Sequence, residues 1–141
     1  MKFLLDTCVI SELSKKKPTP YVIQWISNID ENHLFISALT IGEIYKGIEK
    51  LPDSIKKSTL HSWLTHDLEE RFHNRILAFD TATAAIWGKM QARAELAGKP
   101  MSIIDGQIAA TGSHHNLIVA TRNVSDMKIS GVSLYNPWKN N

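Results

Sequence analysis

Three acids carry the first hint of chemistry. Asp6 closes the apolar run Phe3, Leu4, Leu5; Glu43 lies in "SALTIGE", a few residues past a second apolar run; Asp105 lies in "PMSIIDGQIAA". A carboxylate at the tip of a buried strand must be solvated, hydrogen-bonded or paired, and no arginine or lysine close to Asp6 in sequence is an obvious partner. If the apolar runs are strands of one parallel sheet, the acids share its rim. Like charges gathered there raise one another's pKa and repel unless a cation neutralises them. Magnesium suits such a rim, because it takes oxygen ligands, keeps several waters and needs only one or two direct carboxylates. An ion of this kind activates water and stabilises the charge on a phosphodiester in an in-line displacement, so phosphoryl chemistry is expected.

Each acid also has a plainer role open to it. Thr40-x-x-Glu43 and Ser102-x-x-Asp105 both match the capping box, in which the acid satisfies the first amide of a helix and favours its dipole. A fourth position falls in "LIVATRNVSDM", where Asn123 is either an amide-oxygen ligand or a turn residue and Asp126 is the one acid on offer. Thr7 and Thr121 could orient waters or substrate, or act as ordinary cap and strand hydroxyls. The six histidines form neither a nucleophile triad nor a zinc spacing. Trp25, Trp63, Trp87 and Trp138 sit mostly on apolar faces and read as core or dimer contacts. The single cysteine, Cys8, cannot form an internal disulfide, reads as core, and is not expected to bind metal.

The elements that position these groups follow from hydrophobic patterning. "KFLLD", "LFIS", "ILAFD", "LIVATRN" and "VSLY" read as strands, the first four buried on both faces. Helical patterns lie between them: Val22, Trp25, Ile26 and Ile29 share one face, Gly42 to Lys50 continues as helix, and Ile55 to Phe72 carries Leu60, Trp63, Leu64 and Leu68 on a stripe. Asp80 is a natural N-cap for a helix with Ile86, Met90, Ala94 and Ala97 on one face, stopped by Gly98 and Pro100. A last helix runs from Ile103 to about Ser113. Alternating strands and helices imply right-handed crossovers and a three-layer α/β/α sandwich with a mainly parallel central sheet. In such a sheet ligands bind beyond the carboxyl ends of the strands, which is where Asp6 sits.

The 141 residues, 43% of them hydrophobic, are expected to form a single domain over 1–141. No apolar run approaches the roughly 20 residues that span a bilayer, and Asp6 interrupts any signal-peptide core, so a cytoplasmic protein is expected. A net charge of +2 permits contact with nucleic acid without requiring it. Lys15, Lys16 and Lys17, and Arg71, His73 and Arg75, read as solvated faces.

"FLLDTCVISEL", "ISALTIGEIYKGIE", "RILAFDTATAAIWG", "SIIDGQIAATG" and "LIVATRNVSDM" occur in this order along nearly the whole chain. Together they resemble the PIN-domain ribonucleases, and among them the VapC/FitB-type toxins of bacterial type II toxin-antitoxin pairs. The resemblance implies a metal-dependent endoribonuclease with Asp6, Glu43 and Asp105 as magnesium-site acids and the fourth role at Asn123 or Asp126. Manganese is expected to substitute for magnesium. Asn123 departs from the acid that many PIN domains carry. The resemblance further implies an RNA substrate, a homodimer, and a cognate VapB/FitA-like antitoxin through which a larger complex assembles on DNA. A haloacid-dehalogenase-like phosphatase would need a second acid where Cys8 stands, and a phosphorelay receiver would need more acids near Asp6. The alternative of a different kind is a catalytically weak RNA- or antitoxin-binding module on the same fold.

Overall fold

A computed structural model describes residues 1–139. Five short strands, β1 (Phe3–Leu5), β2 (Leu34–Ser37), β3 (Ile76–Leu77), β4 (Ile118–Ala120) and β5 (Leu134–Tyr135), form one sheet in the order β3-β2-β1-β4-β5. Every pairing is parallel. The chain runs outward from β1 through β2 to β3, then returns to the other side of β1 for β4 and β5. The strand order therefore reverses between β1 and β4, and at such a switch point the helices diverge and leave a crevice at the carboxyl ends.

Side-chain alternation along β1 divides the core into the two faces of a three-layer sandwich. Phe3 and Leu5, with Leu34, Ile36 and Ala120, face α1 (Thr7–Leu13), α2 (Pro20–Ser27), α3 (Ala38–Glu49) and α4 (Ile55–Ser62). Leu4, with Val119 and Phe35, faces α7 (Ile103–His114). Behind α7, α6 (Thr81–Leu96) packs Met90 and Ala94 against Ala109 and Ala110. Leu4, Leu5 and Val119 are fully buried, each contributing about 1.5–3 kcal/mol relative to an exposed side chain.

Several local expectations hold. Helix α2 buries Val22 and Ile26 from its expected apolar face. Asp80 caps α6 by accepting from the Thr83 amide at 2.9 Å. Ser102 caps α7 by accepting from the Asp105 amide at 3.1 Å. Leu64 and Leu68 are buried within a π-helical segment, Trp63–Leu68, that joins α4 to α5 (Glu69–Arg71). The last short helix is α8 (Val124–Met127).

Other expectations are corrected. Only β1 is buried along its whole length, and β3 is a two-residue, half-buried edge strand. Ala97 is exposed just past α6, where Gln91 takes a buried place instead. Helix α3 begins at Ala38 rather than near Gly42, because the Ser37 hydroxyl accepts from the Leu39 amide at 3.0 Å. Thr40 and Glu43 thus lie inside the helix and form no capping box. The basic residues of the two clusters are solvated as expected, all but Arg75 being exposed, and three of them are also paired: Arg71 and Arg75 both bind the Glu31 carboxylate, Arg75 also reaches the carbonyls of Glu31 and Leu34, and Lys15 pairs with Glu12. No helix among the described residues is long and apolar enough to cross a membrane.

Candidate active site

Asp6 ends β1 and caps α1 in the same residue. Its amide continues the ladder to the Ala120 carbonyl at 3.0 Å, its carbonyl accepts from Val9 and Ile10, and its Oδ1 accepts from the Thr7 amide at 2.8 Å. An acid at this position suits the positive end of a helix. The other oxygen, Oδ2, crosses the switch point and accepts from the Thr121 hydroxyl at 2.7 Å. Thr121 in turn accepts from the Asn123 amide at 2.9 Å. Asp6 is 4% exposed and no salt bridge reaches it among the described residues.

Glu43 arrives from the β2 side. The Thr7 hydroxyl donates to Glu43 Oε1 and also lies 3.2 Å from the buried Thr40 hydroxyl, so one residue of α1 connects Asp6 to α3. Asp105 arrives from the first turn of α7. Burial, above all, pushes the Asp6 carboxyl above its ordinary value of 3.8; the Thr121 and Thr7 bonds oppose this, and the charges of Asp105 and Glu43 add to it. Asp105 is also raised, first by burial, with Asp126 and Glu43 contributing against the Ser102 hydrogen bond. These effects place Asp6, Glu43, Asp105 and Asp126 in one acidic patch.

Thr7 and Thr121, expected to orient water or substrate, hydrogen-bond the carboxylates of Glu43 and Asp6. Asn123 makes no side-chain cap bond, and its amide serves Thr121. Asp126 lies on α8 and lines with Asp105 a cleft of about 750 Å³. Cys8 is half-buried and packs against the core, as expected, but it also borders the site: its Sγ is 3.8 Å from Asp6 Oδ2 and 3.7 Å from Thr121 Oγ1. Burial and the Asp6 charge push its thiol up. Thr40 was not singled out from the sequence as a site residue. Its threonine-to-acid spacing signals a cap, whereas its hydroxyl actually touches Thr7.

The donor set is all oxygen, and the neighbouring charges add to the raised values of Asp6 and Asp105, which fits a hard divalent cation and not zinc. Among the described residues no three His, Cys, Asp or Glu groups converge as a formed metal cluster. Asp6 is held at both oxygens and Glu43 at one, while Asp105 is half-buried.

Gly106 keeps Asp105 in register. A Cβ there would stand 2.7 Å from Gln91 Oε1 and 3.0 Å from Trp87 Nε1 on α6. Gln91 cannot turn away freely, because its Nε2 donates to the Met101 carbonyl at 2.9 Å just ahead of α7. Gly106→Ala is therefore expected to destabilise the protein by about 1–3 kcal/mol through overpacking. Urea denaturation checks this, and an unchanged midpoint would show that the two helices separate at no cost.

The sequence profile of the PIN domain matches residues 3–125, and the chain belongs to the PIN-domain family. It is 37% identical over 135 residues to the toxin FitB of Neisseria gonorrhoeae, with 96% of this chain and 97% of that protein aligned. It is 33% identical over 136 residues to VapC ribonuclease Y4jK of Sinorhizobium fredii, with 96% and 97% aligned. The crystal structure of FitAcB from Neisseria gonorrhoeae matches with a TM-score of 0.92 at 37% identity, over 96% of this chain and 98% of that one. The structure of FitAB bound to an IR36 DNA fragment matches with a TM-score of 0.93 at 34% identity, over 99% and 97%.

Proposed function

We propose that this chain is a metal-dependent endoribonuclease, the toxin of a type II toxin-antitoxin pair, working as one nuclease domain. The observation that carries this reading is Asp6, a buried carboxylate at the switch point whose charge is opposed by Glu43 and Asp105. The relatives named as a toxin and a VapC ribonuclease support the reaction class. Asp6, Glu43 and Asp105 would hold magnesium, or manganese in its place, with Asp126 a better fourth ligand than Asn123 because its charge acts on Asp105 and both line one cleft. A hard divalent ion bound there supplies positive charge to the scissile phosphate and lowers the pKa of water.

The protein's own part is to keep the acids ionised and oriented. Thr121 and the Thr7 amide fix both oxygens of Asp6, and the Thr7 hydroxyl aims Glu43 at the same rim. The half-exposed acids are then available as acceptors for the proton of the attacking water. The partners expected are a VapB/FitA-like antitoxin that covers this rim, a second copy of the chain, and DNA reached through the antitoxin; the relatives solved as FitAB with DNA support this. The site is expected to work on the cytoplasmic side of the cell.

The test is cleavage of labelled total RNA by the purified chain. Activity with magnesium or manganese and loss of it in excess EDTA are expected. Equal cleavage in EDTA would overturn the metal-dependent reading, and no cleavage with either ion would favour a binding module.

A further inference from the structure

The acidic patch poses an electrostatic problem for a nuclease. Asp6, Glu43, Asp105 and Asp126 together carry four negative charges when ionised, so even with one divalent ion the rim stays negative and repels RNA phosphates. Compensation has to come from cations that the fold has not already used. Arg71 and Arg75 are held by Glu31, Lys15 and Arg122 by Glu12, and Lys57 by Asp53. Lys99 and Lys128 make no salt bridge among the described residues, although both line the same cleft as Asp105 and Asp126.

Their backbones are fixed while their side chains are exposed. Gly98, at φ +72°, ends α6 and lets the Lys99 amide reach the Ala94 carbonyl at 2.9 Å. Lys128 opens a 3-10 turn closed by Gly131 at φ +77°, whose amide returns to the Lys128 carbonyl at 3.2 Å. Two lysines from two different loops thus line a cleft of about 750 Å³, within the range of about 300–1,000 Å³ that holds small ligands. Pro100 and Ile129, the latter 39% exposed, give it an apolar wall against which a base can pack.

We infer that this cleft is the subsite for the nucleotide flanking the scissile bond, with Lys99 and Lys128 clamping a backbone phosphate of single-stranded RNA and Pro100 and Ile129 contacting its base. The inference rests on the ribonuclease reading and names its substrate-positioning residues. The clamp acts through charge, so it is indifferent to sequence and sensitive to salt.

The experiment is anisotropy titration of a short, mixed-sequence, fluorescent single-stranded RNA against the full chain in EDTA, over a salt series. Lys99→Ala and Lys128→Ala are each expected to weaken binding about five- to tenfold and to flatten the salt slope by about 0.7. Lys99→Arg and Lys128→Arg restore both, and Lys2→Ala, at the opposite end of the sheet, changes neither. With metal restored, the alanine variants raise KM and leave kcat within about twofold. A double alanine variant that binds RNA with unchanged affinity and slope, while the parent cleaves RNA, overturns this inference alone. A parent that neither binds nor cleaves RNA overturns the ribonuclease reading with it. Variants that lose their grip on a co-expressed antitoxin but not on RNA assign the cleft to the protein partner and also overturn it.

Discussion

Asp6→Asn is expected to lower RNA cleavage about 1000-fold while raising the melting temperature of the metal-free protein. The two effects have one cause. The carboxylate is buried, its folded-state pKa lies above 3.8, and the charges of Asp105 and Glu43 oppose its ionisation. A folded state with a raised carboxyl pKa holds the proton more tightly than the unfolded chain. Stability therefore falls as pH rises from about 3.8 through the folded-state value. Removing the charge removes that cost. Asparagine keeps an oxygen for the Thr7 amide, and Thr121 can accept from the new amide group instead of donating.

Melting curves of both proteins in EDTA from about pH 4 to about pH 8 provide the measurement, since about 1 kcal/mol corresponds to a few degrees in a domain of this size. The parent should lose ground to the variant as pH rises, and added manganese should reverse their order near neutral pH by binding only the parent tightly. A variant that is less stable than the parent at every pH without metal would mean that Asp6 is a structural cap. Full cleavage by the variant would remove it from the site altogether.

The three acids were readable from sequence because each follows an apolar run or opens a helix, and parallel topology converts those positions into one rim. What the sequence hid has physical causes. Helix α1 spans only seven residues and includes Val9 and Ile10, β-branched residues that suit a strand as well as a helix. Packing of these two onto the sheet decides the matter, since both are fully buried. The apolar run "ILAF" reads as a central strand, yet run length cannot separate a central strand from an edge one, and β3 lies on the edge. The plainer reading of Glu43 does not hold: its spacing from Thr40 signals a cap, whereas Ser37 caps α3 and Glu43 accepts from Thr7. The roles of Thr7, Thr40 and Thr121 depend on contacts across 33, 36 and 115 positions of sequence, beyond the reach of any local pattern. That Asp126 lines one cleft with Asp105 depends on where α8 packs, which no local pattern shows.

Thr121→Val is expected to weaken manganese binding about 10- to 100-fold, whereas Thr121→Ser stays close to the parent. The Thr121 hydroxyl is fully buried and occupied on both sides, donating to Asp6 Oδ2 at 2.7 Å and accepting from the Asn123 amide at 2.9 Å. Valine has the same shape and neither function. It leaves a buried carboxylate oxygen without its donor and the Asn123 amide without its acceptor, at about 1–3 kcal/mol for such an unsatisfied group. The Thr121 bond is also the strongest influence holding the Asp6 carboxyl down against burial. Without it the pKa of Asp6 rises further, so a proton competes with the metal up to a higher pH. Isothermal titration with manganese across pH separates this from a packing effect. In the valine variant, affinity should recover as pH rises, with its midpoint displaced upward from the parent's, while the serine variant keeps the parent's profile. A valine variant that is merely less stable, with parental manganese affinity and pH midpoint, would show that Thr121 supports the fold and leaves the Asp6 charge untouched.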